Sequence, residues 1–286
     1  MLATRRVASA VPERAFAAWP CAVAGGRSDM IAGMPLEFAG ATDVGRKRNH
    51  NEDSLLIAPR FDLAVVCDGM GGHQAGEVAS GIAVETVQRF FDLARDPNAT
   101  WPFGYDPEKD EATNLLNVAA QWANQRIREA GEAESGRKRG LGTTFVSVLV
   151  RDSRAHFGWV GDSRGYLCRR GELRAVTSDH SLLNELIKMG RLTGDDIESF
   201  QHKNVITRAL GMADLTGIDV APIDLEAGDV CLLCSDGLTG MVNDGRIGEI
   251  VAHTPDLEAA SKALVDEANE NGGVDNVTVA LVRYRP

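Results

Sequence analysis

Acidic side chains stand at the ends of apolar runs in widely separated parts of the sequence. Asp68 follows the run 62–67, Asp236 closely follows the run 230–234, and Asp275 opens the last apolar stretch. A single Asp-Gly pair is an ordinary turn and carries no chemistry by itself. Buried strands nevertheless deliver the residues at their ends to the rim of a core, so these carboxylates are candidates for one shared site.

Further carboxylates lie in turns of the same kind, at Glu52, Asp53 and Asp162. Like charges at close range raise each other's pKa, so a group of carboxylates stays ionised only when a cation compensates it. Oxygen ligands select hard cations, magnesium or manganese, over zinc or copper. Gly69 directly follows Asp68 and lets the backbone approach closely, so its carbonyl is a further candidate ligand.

The elements that must position these side chains are mostly short β-strands. Apolar patterning predicts strands over 36–43, 54–58, 62–67, 143–151, 155–160, 166–169, 173–176, 219–225, 230–234 and 276–284. Apolar residues at helical spacing predict helices near 76–91, 115–127, 244–253 and 256–270. Runs of strands interrupted by pairs of helices are typical of sheets covered by helices, an α+β layered fold.

The candidate residues from Arg48 to Asp275 must converge on one site, so we predict a single domain over residues 36–286. Within it, residues 181–204 form a polar, partly helical insertion. For residues 1–35 we expect a flexible tail or a start codon assigned too early.

The composition excludes several classes of protein. The chain has 286 residues, of which 44% are hydrophobic and 25% charged, as in an ordinary globular protein. Its 30 Lys and Arg against 41 Asp and Glu give a net charge of -11, which would repel nucleic acid. No apolar run approaches the ~18 residues that a membrane helix needs, so we expect a soluble protein with no membrane contact.

The cysteines indicate a reducing compartment. Their number, five, is odd and their spacing forms no disulfide framework, which fits a cytoplasmic protein best. Cys231 and Cys234 resemble a Cys-x-x-Cys pair, but a strand would point them to opposite faces. We interpret them as core residues rather than as a zinc or redox site.

Eight short motifs occur in a fixed order between residues 40 and 284. They are Asp43-Val-Gly with Arg48 and Asn51-Glu-Asp-Ser54; Asp68-Gly-Met-Gly-Gly72 with Gly76-Glu; Gly142-Thr-Thr; Gly161-Asp-Ser-Arg164; Asp179-His-Ser181; Thr207-Arg-Ala-Leu-Gly211; Ser235-Asp-Gly-Leu238; and Asp275-Asn-Val-Thr278. Each motif is weak alone. The ordered set closely resembles the metal-dependent protein phosphatases of type 2C, in their bacterial branch.

The resemblance implies a four-layer α/β/β/α sandwich, with two central antiparallel β-sheets flanked by helix pairs and the metals at one end. It implies that Asp68 bridges two Mn²⁺ or Mg²⁺ ions. The Gly69 carbonyl would bind one of these ions, and Asp236 and Asp275 the other. The insertion at 181–204 falls where the family has a mobile flap over the site.

Other positions match the family's outer ligands and its phosphate clamp. Glu52 and Asp53 would hold metal-bound waters or complete the second site, and Asp162 resembles a ligand of a third, weaker ion. Arg48 matches the arginine that clamps the substrate phosphate. The implied reaction is hydrolysis of phosphoserine and phosphothreonine by water activated between two metals, without a covalent enzyme intermediate.

The sequence departs from many eukaryotic relatives at Met70, where they carry a histidine thought to protonate the leaving group. That role then falls to His50 or to a metal-bound water. His73 and Glu77 lie four residues apart at a helix start, where we favour a capping role over a ligand pair. We interpret His180 as structural or flap-positioning.

Arg164 and Arg208 are expected to form structural salt bridges with acidic turns rather than to bind substrate. The resemblance further implies phosphorylated protein substrates, an opposing serine/threonine kinase and a monomeric enzyme. Two non-enzymatic alternatives remain: a catalytically inactive phosphatase fold that serves as a binding module, and a structural calcium-binding protein. Every metal-ligand position is present, which disfavours the first, and no Asp-x-Asp-x-Asp-Gly loop supports the second.

Overall fold

The computed structural model describes residues 36–71, 75–96, 98–133, 140–194, 197, 200, 202, 205–213 and 215–286. The predicted tail 1–35, His73 and parts of the predicted flap lie outside these residues. The boundary placed before residue 36 stays a prediction.

The strands and helices follow the predicted pattern closely. The strands are β1 (Leu36–Asp43), β2 (Asp53–Ala58), β3 (Leu63–Met70), β4 (Gly142–Thr143), β5 (Phe145–Arg151), β6 (Arg154–Val160), β7 (Arg164–Arg169), β8 (Glu172–Ala175), β9 (Asp219–Asp224), β10 (Val230–Cys234) and β11 (Val277–Tyr284). The helices are α1 (Ala75–Ala94), α2 (Glu111–Ala133), α3 (Leu182–Lys188), α4 (Asp236–Thr239), α5 (Asp244–His253) and α6 (Leu257–Glu270).

The strands form two antiparallel sheets. Sheet A has the order β1-β11-β10-β7-β8, and sheet B has the order β2-β3-β5-β6-β9, with β4 paired to β3. The short β4 and the single turn of α4 were not predicted, because two to four residues are too few for a hydrophobic period to be read. Among the helices of the described residues, none combines the length and apolarity that crossing a membrane requires.

Three layers of apolar packing hold the sheets and helices together. The outer face of sheet B packs on α1 and α2, for example through Val65, Phe90 and Leu116. The outer face of sheet A packs on α5 and α6, as Leu232 and Leu264 illustrate. The inner faces of both sheets form the third layer. The helices therefore cover both sheets, which is the α/β/β/α sandwich predicted from the sequence.

Strand β10 illustrates how this architecture treats a continuous apolar run. All five of its residues are buried, because its two faces serve two different cores. Cys231 contributes to the core between the sheets and Cys234 to the core under α5 and α6. The prediction that these cysteines point to opposite faces and act as core residues is confirmed.

Candidate metal centre

One cavity of about 260 Å³ collects the candidate side chains at one end of the two sheets. It is lined by Arg48, Glu52, Asp68, Gly69, Met70, Gly71, Asp162, Ile206, Asp236, Asp275 and Asn276. Seven of the eight residues that the sequence analysis assigned to the metals or to the phosphate are in this lining. The eighth, Asp53, lies beneath it.

Strand β3 presents Asp68, and neighbouring backbone fixes its position. Asp68 lies opposite Asp53 in the β2–β3 ladder, so the two side chains share one face. The Asp68 amide donates to Thr144 Oγ1 over 2.9 Å, and the Asp68 carbonyl accepts the Thr144 amide over 2.8 Å. Asp68 is thus part of a strand rather than of the turn after it, because β3 extends to Met70.

Asp53 is a buried carboxylate, and only one of its two oxygens has a hydrogen-bond partner. Its Oδ2 accepts the Ser235 hydroxyl over 2.8 Å, whereas its Oδ1 is buried without a hydrogen-bond partner. Burial raises the pKa of Asp53 to about 7, against hydrogen bonds from Thr278 and Ser235 that lower it. A buried acceptor without a partner is costly, so this atom is suited to a further cationic or donor group.

Gly69 is required by the close approach of three backbone segments. A Cβ atom at this position would lie 2.6 Å from the Glu52 carbonyl oxygen and would clash with the Gly76 carbonyl. The Gly69 amide donates to the Glu52 carbonyl over 3.1 Å. Glycine at this position therefore keeps the Glu52 segment against β3 and leaves the Gly69 backbone exposed to the cavity.

The carboxylates at the cavity raise one another's pKa. Burial and then the charges of Asp53 and Asp236 raise the pKa of Asp68 well above its usual value. Burial, followed by Asp275, raises the pKa of Asp236, and burial followed by Asp236 raises that of Asp162 to about 7. The cavity lining therefore carries an excess of negative over positive charge.

Arg48 supplies the cavity's own positive charge. Its Nη2 lies 2.7 Å from Asp275 Oδ2, and this hydrogen bond raises the pKa of Arg48 further above its usual value. Half of the Arg48 side chain is exposed, at 50%. The remaining guanidinium nitrogens are therefore accessible to an anion that enters the cavity.

The Asp162 turn closes another side of the cavity. Gly161 has φ of 110°, and a Cβ there would lie 2.7 Å from the Thr144 side chain, so only glycine fits. Ser163 Oγ lies 2.7 Å from Thr144 Oγ1, which ties this turn to the residue that holds Asp68.

Both arginines expected to be structural are paired with acids. Arg164 makes a two-pronged contact with Asp179, at 2.9 Å from Nε and 2.7 Å from Nη2. Arg208 Nη1 lies 2.9 Å from Asp219 Oδ1. The prediction of structural salt bridges is confirmed for these two residues.

Asn276 is a site residue to which the sequence reasoning assigned no role. Its Oδ1 accepts the Glu52 amide over 2.8 Å, while its Nδ2 donates to the carbonyls of Val44 and His50 at 2.9 Å each. The side chain thereby holds both ends of the loop that carries Arg48. Its place directly after Asp275 was the only sequence signal, and that signal does not reveal which loops it joins.

The lining fits hard divalent cations by its chemistry, since its donors are carboxylate and carbonyl oxygens. Among the described residues, however, no three His, Cys, Asp or Glu side chains lie close enough together to hold one ion by themselves. Like charges repel, and Arg48 holds one oxygen of Asp275. The Gly69 carbonyl is therefore a needed further candidate ligand beside these carboxylates.

Other histidines and a second cavity lie outside this centre. His50 is exposed, and neither it, His180 nor Glu77 lines the cavity. A larger cavity of about 360 Å³ lies beside α2 and the segment 216–219. Its charged groups pair with each other, as Lys109 does with Asp106, so it has no comparable excess of charge.

Comparison with known proteins places these features in a family. The family model described as "Protein phosphatase 2C" matches residues 44–274. The protein phosphatase PhpP of Streptococcus pneumoniae is 37% identical over 257 residues, which are 86% of this chain and 97% of PhpP. The serine/threonine phosphatase stp of Listeria innocua is 36% identical over 252 residues, covering 87% of this chain and 95% of stp.

Solved structures give the same result. The serine/threonine phosphatase PstP/Ppp of Mycobacterium tuberculosis superposes with a TM-score of 0.76 at 33% identity, covering 88% of this chain and 99% of that one. A PstP catalytic domain in complex with two manganese ions has a TM-score of 0.73 at 32% identity, covering 88% and 99%. The resemblance and the sandwich fold predicted from the sequence are confirmed, and the chain belongs to the protein phosphatase 2C family.

Proposed function

We propose that this protein is a serine/threonine protein phosphatase that hydrolyses phosphoserine and phosphothreonine on other proteins. One observation carries the proposal: carboxylates from five separate segments converge with one accessible arginine on a single cavity. That arrangement pairs a cation-binding cluster with a phosphate-binding group. The names of relatives such as PhpP and stp support the same activity.

The ligands that we assign are those of the cavity lining. Asp68 would contribute to holding two Mn²⁺ or Mg²⁺ ions, the Gly69 carbonyl would help to hold one of them, and Asp236 and Asp275 would help to hold the other. Asp162 contributes to a third, weaker ion. When bound, such ions act as Lewis acids that activate water and offset the charge of the phosphate.

Glu52 and Asp53 have outer roles in this assignment. Glu52 lines the cavity, where its carboxylate would accept hydrogen bonds from waters of the metal site. Asp53 lies below Asp68, buried, with one carboxylate oxygen that has no partner. It therefore acts on the centre through Asp68 and water rather than through the cavity surface.

The chain's own residues bind and orient the substrate. Arg48 presents a planar guanidinium, whose paired N–H groups match two oxygens of a phosphate monoester. The Arg48 nitrogen that now contacts Asp275 would become available to phosphate if Asp275 helped to hold an ion. Met70 lines the cavity but carries no ionisable proton, and His50 is outside the lining, so we assign protonation of the leaving serine or threonine oxygen to solvent.

The cellular setting is inferred from the same family. We propose phosphoproteins as substrates, an opposing serine/threonine kinase, a cytoplasmic location and a monomeric enzyme whose single domain spans residues 36–286. One relative in the comparisons is described as a key regulatory component of the type VI secretion system in Pseudomonas aeruginosa. A role in signal transduction by reversible phosphorylation follows from that setting.

Manganese-dependent hydrolysis tests the proposal. The purified protein is assayed with a chromogenic aryl phosphate and with matched phosphoserine, phosphothreonine and phosphotyrosine peptides, with and without Mn²⁺. We expect turnover of the aryl phosphate and of the first two peptides, lost on chelation and in Asp236→Asn. Metal binding without any turnover would instead favour the alternative, a catalytically inactive phosphatase fold that acts as a binding module.

A further inference from the structure

His180 joins two parts of the molecule that border the cavity without lining it. It is buried, with 7% of its surface exposed. Its ring stacks on Trp159, with ring centroids 6.3 Å apart and planes at 11°. Its backbone amide donates to the Gly161 carbonyl over 2.8 Å, and its carbonyl accepts the Thr207 amide over 2.8 Å. It thus contacts the turn before Asp162 and the segment that follows the predicted flap.

The hydrogen bonds of the ring define its tautomer. The Gly161 amide donates to His180 Nδ1 over 3.2 Å, so Nδ1 is an acceptor and carries no proton. The neutral ring then has its proton on Nε2, which lies 3.2 Å from Asp219 Oδ2. Burial lowers the pKa of His180, consistent with the neutral form.

Arg208 and Asp219 surround the Nε2 side of the ring. Arg208 Nη1 lies 2.9 Å from Asp219 Oδ1 and 2.9 Å from His180 Nε2. The guanidinium and the Nε2–H group are both donors, so they cannot bond to each other, and the Asp219 carboxylate accepts one hydrogen from each. Arg208 Nη2 also donates to the Gly217 carbonyl over 2.9 Å. Lys188 also lowers the pKa of His180.

The two ends of the predicted flap, which we call its root, meet beside His180. Ser181, which caps α3, forms an isolated bridge with Ile206, and Ile206 lines the cavity. Leu182 donates its amide to the Val205 carbonyl over 2.8 Å. The two ends of the flap therefore meet next to His180, between the cavity and the Asp219 network.

We propose that His180 is a positioning residue, whose Nε2-protonated ring holds the Gly161–Asp162 turn at a fixed place relative to the flap root. This proposal rests on the proposed function insofar as Asp162 is assigned to a weakly held metal ion. The contact of Ser163 with Thr144 joins the other side of this turn to sheet B. His180 supplies the second connection, from the turn to the flap root, which the strands do not provide. Loss of the ring's acceptor lets the turn move away from the cavity.

The tautomer is tested directly by nuclear magnetic resonance. A long-range ¹H–¹⁵N correlation spectrum of the protein labelled with ¹⁵N-histidine separates the two neutral tautomers and the imidazolium. We expect His180 at neutral pH as the Nε2–H form, with a protected Gly161 amide. A Nδ1–H form or a doubly protonated ring in the folded protein overturns the proposal.

Two substitutions of His180 distinguish the roles of its two ring nitrogens. In His180→Asn the amide oxygen takes the place of Nδ1 and accepts the Gly161 amide. In His180→Gln the side-chain amide reaches the Nε2 position and leaves the Gly161 amide without its partner. We expect His180→Gln to raise the Mn²⁺ concentration for half-maximal aryl phosphate turnover about tenfold over wild type, as loss of an indirect metal support does. In His180→Asn this concentration should stay much closer to that of wild type. Titration calorimetry with Mn²⁺ should show the same order.

His156 provides a matched control, since it is another buried histidine, on β6 of sheet B, 4% exposed and outside the cavity lining. His156→Gln is expected to cost stability without changing the Mn²⁺ dependence. Equal Mn²⁺ dependence in His180→Gln and wild type, or equal losses in the Asn and Gln variants, overturns the proposal.

A milder variant serves if the His180 variants do not fold. The Asp219 side chain is 46% exposed, so Asp219→Asn should fold, and we expect the same direction of change at about threefold. An unchanged Mn²⁺ dependence in this variant also overturns the proposal. If wild type binds Mn²⁺ but hydrolyses no phosphate ester, the proposed function fails, whereas calorimetry and the histidine spectrum still decide the role of His180.

Discussion

The inner wall of the cavity, formed by strands β2 and β3, and helix α3 of the predicted flap differ in how deeply their residues are buried. Asp68 and Asp53 stand on paired strands, and every residue of β3 from Leu63 to Cys67 is buried. Helix α3 of the flap buries none of its residues, and Met189 at its end is 64% exposed. Mutually repelling carboxylates require a rigid support, whereas a surface that meets varied proteins does not. The molecule thus places the candidate ligands on a buried strand pair and leaves the helix beside the cavity exposed.

The largest effect is expected at the centre of the rigid wall. Asp68→Asn removes a carboxylate on which both proposed ions depend, so kcat should fall about a thousandfold or more. The same change removes a buried charge beside Asp53 and Asp236, so the metal-free variant should unfold at a higher temperature than metal-free wild type. Steady-state kinetics and thermal unfolding measure the two effects, and near-normal turnover would contradict the ligand assignment.

Metal ions should stabilise the same wall. An ion that binds only the folded protein adds about 2.7 kcal/mol at a hundredfold excess over its Kd, which raises Tm by about 5 °C or more in a domain of this size. We expect that rise with Mn²⁺ in wild type and its loss in Asp236→Asn. The rise in Tm with calcium at the same concentration is measured for comparison. A smaller rise than with Mn²⁺ would show that the site prefers the smaller ion.

The Ser235 hydroxyl supports Asp53, and its removal should have a smaller effect than removal of a carboxylate. Ser235 Oγ donates to Asp53 Oδ2 and accepts the Thr278 amide over 3.0 Å, so Ser235→Ala leaves two buried groups unpaired. We expect a loss of about 1–3 kcal/mol in the free energy of unfolding and a weaker response to Mn²⁺.

Ser147 is the control for this change. It is equally buried and donates to the Gly158 carbonyl over 3.0 Å, away from the cavity. Ser147→Ala should cost stability on the same scale and leave the Mn²⁺ response unaltered. An identical Mn²⁺ response in both serine variants would show that Asp53 does not act on the centre.

The smallest effect is expected on the flap. Met189→Ser removes an exposed apolar side chain, so the free energy of unfolding should change by less than about 0.5 kcal/mol. If the flap contacts protein substrates, the KM for a phosphoprotein should rise about threefold, while the KM for an aryl phosphate stays constant. Equal changes for both substrates would mean that the flap acts on the centre itself and would weaken the contrast.

Several site features were predictable because they are local. Asp68 and Asp236 follow apolar runs, and the apolar period locates those runs without knowledge of their partners. The oxygen-rich turns likewise indicated hard cations from residue type alone. The ordered motifs then fixed the family and, through it, the sandwich.

The supports of the site were not predictable, because they join residues far apart in the chain. Ser235 reaches Asp53 across 182 positions, and Asn276 holds the Glu52 amide across 224. No local period reports such a contact. The burial of Asp53 beneath the cavity, rather than in its lining, also emerges only when the two sheets are stacked.

By itself, then, the sequence determined the longer strands and helices, the layered class and the identity of the acidic residues, since their patterns depend on neighbours within a few positions. The tertiary structure alone decided which oxygens face the cavity, that Arg48 contacts Asp275, and that His180 presents Nδ1 to Gly161. Those features depend on hydrogen-bond geometry between separate elements, and hydrogen bonds are specific only once distance and direction are both fixed.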